Sequence, residues 1–152
     1  MSKSNASFAA ILLTTGMGVV VGLGVFTLWY AKGASYLTND PNACANCHVM
    51  REQLDGWNKA SHRQAAVCND CHAPHDFVGK YTTKALNGFM HSWAFTTGRF
   101  PENIYITKRN KSVTDQACLH CHNQIVDGLN QVRVHTQGVS CLNCHRDVGH
   151  KH

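Results

Sequence analysis

Four short motifs in this chain have the residue types and spacing that bind a redox cofactor covalently. Each motif reads Cys-x-x-Cys-His, and together they use all eight cysteines of the 152-residue chain. This is the attachment signature of c-type haem, in which two thiols bond the porphyrin and the adjacent histidine ligates the iron. We therefore expect four covalently bound haems and no disulfide framework. The attachment cysteines are Cys44, Cys47, Cys68, Cys71, Cys118, Cys121, Cys141 and Cys144, and the motif histidines are His48, His72, His122 and His145.

Two other interpretations of the composition agree less well with the sequence. A pair of four-cysteine zinc sites, one in each half of the chain, leaves the histidine after every cysteine pair unexplained. The formal net charge of +5 suggests nucleic-acid binding, but the chain has no run of Lys and Arg, and haem propionates would offset the charge. We therefore expect no nucleic-acid partner.

Residues 8–31 form a run of 24 residues without a charge, which ends in Trp29 and Tyr30 and is followed by Lys32. A helix of this length crosses the roughly 30 Å hydrocarbon layer, and aromatic residues followed by a cation suit the membrane interface. The competing interpretation is a cleavable signal peptide, whose apolar core is normally about 7–15 residues. Because the run is longer than that, we favour an uncleaved transmembrane anchor. The G-x-x-x-G spacing of Gly18 and Gly22 allows close helix–helix contact, so self-association in the membrane is a further expectation.

The orientation of the anchor follows from the haem chemistry. Haem attachment takes place outside the cytoplasm in bacteria, so we expect residues 1–7 in the cytoplasm and residues 44–152 in the periplasm, beside the lipids of the inner membrane. The linker 32–43 reaches at most about 40 Å when extended. The first haem is therefore expected near the membrane surface.

The predicted fold is mainly α: one N-terminal transmembrane helix and a small multihaem domain of short helices and loops. The motifs begin at residues 44, 68, 118 and 141, which indicates two di-haem repeats at about 44–75 and 118–150. Between them, the periodicity predicts a helical insert at about 77–96, with Lys84 and His91 about 10 Å apart on one face. So short a domain cannot bury an ordinary apolar core, so we expect the haems to form it.

Seven histidines remain outside the motifs, and an electron-transfer haem needs a second strong ligand from His or Met. His62, His91 and His150 are the candidates, because each lies outside a motif within reach of one. His135 repeats the position of His62 six residues before a motif, and Met50 follows His48 by two residues. The remaining histidines, which we do not expect to bind iron, are His75, His120 and His152.

These features resemble the NapC/NirT family of membrane-anchored tetrahaem quinol dehydrogenases. The resemblance rests on a single N-terminal span, a first motif that continues to His48-Val49-Met50, two further motifs, and a last motif with a histidine five residues beyond its own. It also includes Lys84, Asn87, Gly88 and His91 in the insert. The chain is most similar to the short members of the family, the NrfH-type small subunits of cytochrome c nitrite reductase.

The resemblance implies a set of ligands and a quinol site. Lys84 matches a lysine at the quinol site, whereas Asn87 replaces the family's aspartate and, unlike a carboxylate, cannot exchange a proton. The implied axial ligands are Met50 or His48 at haem 1, His91 with His72 at haem 2, His150 with His122 at haem 3, and His62 with His145 at haem 4.

The function implied is oxidation of menaquinol, with electrons passed to a periplasmic pentahaem nitrite reductase that reduces nitrite to ammonia in anaerobic respiration. The chain would then be the electron-transfer subunit of an oxidoreductase complex and not the nitrite-reducing subunit. One alternative is a quinol dehydrogenase that feeds another periplasmic reductase, such as nitrate reductase. Further alternatives are a self-contained haem reductase, which needs an open iron, and a passive electron carrier.

Overall fold

The structure is a computed structural model and describes residues 3–101, 103–130 and 139–150. The described residues form helices and connecting turns, without a β-strand among them. The chain divides into two compact units, the first ending at Leu37 and the second beginning at Thr38. The α-helices are α1 (Lys3–Tyr30), α2 (Pro41–Cys44), α3 (Arg51–Asn58), α4 (Cys68–His72), α5 (Phe77–Thr97) and α6 (Lys108–Asn130), and short 3₁₀ helices cover Gly33–Leu37, His48–Met50, Ser61–Gln64 and Cys141–Asn143.

The first unit consists of α1 and the 3₁₀ helix that follows it. Its apolar stretch Asn5–Tyr30 has 26 residues with a mean hydropathy of 2.1, and none of its most apolar window is buried by other parts of the chain. The helix ends where Lys32 adopts a left-handed backbone with φ of 50°. By length and composition this helix is able to cross a membrane. No atom lies within 4 Å of a Cβ built on Gly18 or Gly22, so that face is open.

The second unit lacks a protein core of large apolar side chains. The buried apolar residues among its described positions are the alanines Ala60, Ala73 and Ala117. Thr83 and Thr114 are also buried, as is Gly56 of α3. Burial of such small side chains supplies little hydrophobic stabilisation. The chain alone therefore does not account for the stability of this unit.

The long helix α5 has a capping residue at each end. The carboxylate of Asp76 accepts a hydrogen bond from the backbone N–H of Gly79 at 2.6 Å, and Gly98 ends the helix in a left-handed conformation with φ of 66°. Its bounds, Phe77–Thr97, lie where the sequence predicts a helix at about 77–96. Helix α6 differs from the expected short elements, because the third motif lies in the middle of a helix of 23 residues.

Side chains of α6 connect the other elements of the second unit. The guanidinium of Arg109 donates hydrogen bonds to Thr83 Oγ1 at 2.9 Å and to Asn87 Oδ1 at 3.3 Å, which joins α6 to α5. The carboxylate of Asp115 accepts bonds from Ser140 Oγ at 2.9 Å and from the backbone N–H of Cys141 at 3.0 Å. The fourth motif is thereby fixed against the helix that carries the third.

Candidate haem cluster and quinol site

The local backbone of motifs 2, 3 and 4 places the two cysteines and the histidine on one side of a helical turn. The second motif is helix α4, and the third lies inside α6. In the fourth, the backbone N–H of His145 donates to the carbonyl oxygen of Cys141 at 2.9 Å, which closes a single helical turn. Because residues three and four apart are neighbours on a helix, both thiols and the imidazole reach one cofactor.

The four motifs form one continuous cluster, and every cysteine in it is a free thiol. The first cysteines of motifs 1 and 2, Cys44 and Cys68, lie close enough to shift each other's pKa. Cys141, the first cysteine of motif 4, raises the pKa of Cys118, the first cysteine of motif 3. The second cysteines of motifs 2 and 3, Cys71 and Cys121, join the two pairs. The cysteines that would attach haem are therefore neighbours from one motif to the next.

The interactions between thiols change their reactivity before attachment. The contact with Cys68 lowers the pKa of Cys44 to about 7, and the Lys84 ammonium adds a smaller effect in the same direction. The same contact with Cys44 strongly raises the pKa of Cys68. Burial, followed by the neighbouring Cys141, raises the pKa of Cys118 to about 11.

Two pairs of histidines face each other across the second unit. The ring centroids of His72 and His150 are 5.9 Å apart, and those of His62 and His122 are 6.1 Å apart. Two imidazoles that bind one metal ion from opposite sides, each with a metal–nitrogen bond of about 2.0 Å, hold their ring centroids about 6 Å apart. Both pairs therefore have the spacing of two axial ligands on one iron.

Hydrogen bonds at Nδ1 prepare the two non-motif histidines to bind iron through Nε2. His150 Nδ1 lies 2.8 Å from the carbonyl oxygen of Gln53, and His62 Nδ1 lies 3.1 Å from the carbonyl oxygen of Val148. A carbonyl accepts, so each Nδ1 carries the proton and each Nε2 keeps its lone pair. Such a bond to the second nitrogen is the usual support of a metal-binding histidine. The residues present therefore fit haem iron.

The desolvation of His72 agrees with this arrangement. His72 is partly exposed as a residue, but desolvation by the surrounding protein lowers the pKa of its imidazole, and the nearby His150 adds to the shift. A lowered pKa keeps the imidazole neutral, which is the form that ligates a metal.

The ring contacts pair the histidines differently from the set that the family resemblance implies. His150 faces His72 and not His122, and His62 faces His122 and not His145. His91, the implied second ligand at haem 2, is exposed on α5, and no other ring lies against it among the described residues. The pairing of ligands thus stays a prediction with two versions, one implied by the family resemblance and one indicated by the ring contacts.

The fourth motif borders an open cleft of about 610 Å³, a volume within the usual range for small-molecule and cofactor sites. In the described part of the chain, no second histidine ring faces His145. The cleft is lined by Lys59, Ser61, Cys144, His145, Arg146, Asp147 and Val148.

Other histidines and Met50 complete the inventory. Met50 is half-buried at the start of α3, and the side chain of His48 lies outside what the structure describes. His135 and His152 also lie outside the described residues. His75 and His120 stack on each other with centroids 3.9 Å apart, which is too close for two ligands on opposite sides of one iron.

Lys84 lies beside the first motif and is held in place by the backbone. Its ammonium donates a hydrogen bond to the carbonyl oxygen of Thr38 at 2.9 Å and lies 5.7 Å from the centroid of the Tyr81 ring. Burial lowers the pKa of Lys84, Lys80 adds to this shift, and Cys44 opposes it. Because Cys44 loses its charge when it becomes a thioether, haem attachment removes the opposing effect.

Asn87 lies one turn beyond Lys84 on α5, and its side-chain oxygen accepts a hydrogen bond from Arg109. Nothing in the local sequence singles out Arg109, which is 22 residues away. The same guanidinium also binds the buried Thr83. A cation therefore contacts the side-chain oxygen of Asn87.

Comparison with known proteins identifies the family to which this chain belongs. A family model described as the NapC/NirT cytochrome c family, N-terminal region, matches residues 3–152. The chain belongs to the NapC/NirT cytochrome c family. As a member of this family it is a c-type cytochrome with covalently bound haem, and its apolar N-terminal helix is that of a membrane-anchored protein.

Individual members of the NapC/NirT family resemble the chain over most of its length. The cytochrome c-type protein NrfH of Wolinella succinogenes is 37% identical over 87% of this chain and 80% of its own length. The cytochrome c nitrite reductase subunit NrfH of Nitratidesulfovibrio vulgaris is 32% identical over 97% of this chain and 89% of its own. The cytochrome c-type protein NapC of Escherichia coli is 29% identical over 99% of this chain and 85% of its own.

A solved structure in this family has the same fold. A chain of the cytochrome c nitrite reductase NrfHA complex, crystallised with the HQNO inhibitor bound, superposes with a TM-score of 0.64 at 27% identity. The match covers 90% of this chain and 88% of the other. The mainly helical fold predicted from the sequence is therefore confirmed.

Proposed function

We propose that the protein is a membrane-anchored tetrahaem cytochrome c that oxidises menaquinol and passes the electrons to a periplasmic pentahaem cytochrome c nitrite reductase. The observation that carries the proposal is the position of Lys84, whose ammonium lies next to Cys44 of the first motif and is bonded to Thr38. The two NrfH relatives support the nitrite reductase as the partner, since both are more similar to this chain than the NapC protein of Escherichia coli.

The chain supplies the polar groups that quinol oxidation needs. Oxidation of one menaquinol to menaquinone releases two electrons and two protons, and haem, when bound, accepts one electron at a time. Lys84 binds a quinol oxygen and, in its neutral form, accepts one proton from it, and the second proton passes to solvent water. Arg109 and Asn87 orient the ring oxygens by hydrogen bonds, and neither accepts a proton at neutral pH.

We further propose how the chain holds the four haems. The eight motif cysteines attach them, and the four motif histidines are the first axial ligands, with Met50 as the alternative to His48 at haem 1. The ring distances support His150 as the second ligand opposite His72 and His62 as the second ligand opposite His122. In this version His145 lines the cleft at the fourth haem, and His91 binds no iron.

The last part of the proposal concerns the location of the two units and the direction of electron transfer. The second unit, which we call the haem unit, lies in the periplasm, because haem attachment is extracytoplasmic. Helix α1 lies in the inner membrane, with residues 1–7 in the cytoplasm. Thr38 follows Tyr30, the last residue of α1, by eight residues, which span at most about 28 Å. The first motif therefore stays within reach of quinol in the bilayer. Electrons then enter at the first haem and leave at another.

The test is anaerobic reduction of the detergent-purified holoprotein by a menaquinol analogue, followed by its absorption at the reduced c-haem band. We expect full reduction of the haems on the time scale of seconds or less, followed by reoxidation when the pentahaem nitrite reductase and nitrite are added. Failure of the quinol step, with haems that dithionite still reduces, would falsify the quinol proposal. Reoxidation by a nitrate reductase and not by the nitrite reductase would instead support the alternative partner.

A further inference from the structure

The second half of α5 projects from the haem unit with large apolar side chains on its surface. From Phe89 to Thr97 every residue except Ala94 is exposed, whereas Thr83, Lys84 and Asn87 in the first half face the unit. The segment after the helix continues the exposed surface. We call this surface the α5 aromatic patch, and it consists of Leu86, Phe89, Met90, Trp93, Phe95, Phe100, Ile104, Tyr105 and Ile106.

Ring contacts join side chains within the patch. Phe89 and Trp93 stack with centroids 6.5 Å apart, and Phe95 stacks on Phe100 at 6.4 Å. Phe95 is 74% exposed and Trp93 57%. Soluble proteins seldom leave so many large apolar side chains of one segment in water, because each Å² of exposed apolar surface costs about 25 cal/mol. Something other than water covers the patch.

The charges around the patch favour a lipid surface over an acidic or neutral protein groove. Residues 77–101 contain no Asp or Glu, and their cations are Lys80, Lys84 and Arg99. Aromatic side chains next to cations are the composition that settles at the headgroup level of a bilayer. Anionic lipids attract the cations, so the charge adds to the hydrophobic contribution.

The connection of α5 to the start of the haem unit places the patch near the residue that follows the anchor unit in the sequence. Lys84 is bonded to Thr38, which is the first residue after the unit that contains α1. Phe89 lies five residues beyond Lys84 on the same helix, which is about 8 Å along its axis. The patch therefore begins next to the point at which the chain arrives from the bilayer.

We propose that the α5 aromatic patch is a second membrane contact, in addition to the anchor helix, which inserts its aromatic side chains into the interfacial layer of the bilayer. The contact holds the haem unit against the lipid surface in one orientation. This membrane contact requires α1 to be in the membrane but does not require any chemistry at Lys84. A failure of the quinol proposal would therefore leave it unaffected.

The test is photolabelling of the full-length holoprotein in nanodiscs of phosphatidylethanolamine and phosphatidylglycerol that contain a phospholipid with a diazirine near its headgroup. Trypsin cleaves after Lys84 and Arg99, so residues 85–99 form one peptide for mass spectrometry. The internal reference is the peptide of residues 52–59, which covers α3 and contains Trp57. We expect several-fold more lipid adducts on 85–99 than on 52–59, and protection of 85–99 from a water-soluble carbene reagent.

Variants separate the patch from general apolar exposure. The double substitution Trp93→Gln with Phe95→Gln should reduce lipid adducts on 85–99 to the level of the reference peptide. Ile125→Gln removes a side chain that is 62% exposed on α6, outside the patch, and should change nothing. The haem absorption spectrum checks that each variant is folded, and the labelling of the wild-type protein decides the question if a variant is not.

Three results would overturn the proposal. The first is equal lipid labelling of the two wild-type peptides together with free access of the water-soluble reagent to 85–99. The second is protection of 85–99 that appears only when the nitrite reductase or a second copy of this chain is added, which would identify a protein interface. The third is a peptide 85–99 that acquires no lipid adducts in nanodiscs and is protected from the water-soluble reagent equally in nanodiscs and in detergent micelles. That result would mean that haem covers the patch.

Discussion

The ammonium of Lys84 donates a hydrogen bond at 2.9 Å to the backbone carbonyl oxygen of Thr38, which lies 46 residues earlier in the chain. Asn69 binds the same carbonyl oxygen at 3.2 Å, so Thr38 is held from two helices. This contact places a lysine with a lowered pKa beside the first haem motif, at the residue where the haem unit begins. The first two predictions depend on it.

Replacement of Lys84 by leucine should slow haem reduction by a menaquinol analogue about 100-fold, the range of a lost proton-transfer group. Reduction by dithionite should stay unchanged, because it does not require the quinol site. Lys108→Leu is the matched control, since it removes an exposed cation at the start of α6 and is not among the groups that shift the pKa of Lys84. Stopped-flow absorption at the reduced haem band measures both. Equal rates in the two variants would contradict a role for Lys84.

The pH dependence of the same reaction tests whether Lys84 accepts the proton. Burial lowers the pKa of Lys84 below the usual 10.5, so the neutral, accepting form is more abundant near neutral pH than for a solvent-exposed lysine. The rate should therefore rise with pH as Lys84 loses its proton. Lys84→Arg keeps the cation and cannot accept a proton, so its rate should be low with a flatter profile. A parallel rise in both proteins would assign the pH dependence to the quinol itself.

Redox titration distinguishes the two versions of the ligand set. A methionine ligand raises the potential of a haem relative to a second histidine. His150→Met and His62→Met should each raise the midpoint potential of one haem. His91→Met should leave all four unchanged, because His91 is exposed and faces no other ring in the described part of the chain. A raised potential in His91→Met would favour the ligand set that the family resemblance implies.

Loss of haem should unfold the second unit and leave the anchor helix intact. The buried apolar side chains among its described residues are alanines, so removal of the porphyrins removes most of the apolar surface that the unit encloses. Protein produced without haem attachment, purified in detergent, should show rapid proteolysis after Thr38 and a helical circular dichroism signal close to that of α1 alone. Protease resistance of residues 108–130 in this material would show that α6 folds without haem.

Features that depend on neighbouring residues were accessible from the sequence. The haem motifs are defined within five residues, and the anchor by a continuous apolar run that the structure shows as one helix. The helix over Phe77–Thr97 is bounded by Asp76 and Gly98, whose local roles as caps do not require the rest of the fold. Local hydrogen bonds and helical periodicity carry this information, and both act over one or two turns.

Contacts between distant residues were decided only by the tertiary structure. His150 binds the backbone of Gln53 across 97 residues and faces His72, while spacing alone left several partners open to it. Arg109 next to Asn87 was not foreseen, because nothing in the local sequence around either residue indicates the other. The sequence determined that this chain carries haem on a membrane anchor, since covalent attachment and bilayer crossing are properties of short segments. The folded chain decided which histidines face each other and what surrounds Lys84, since those distances depend on how all the helices of the haem unit pack.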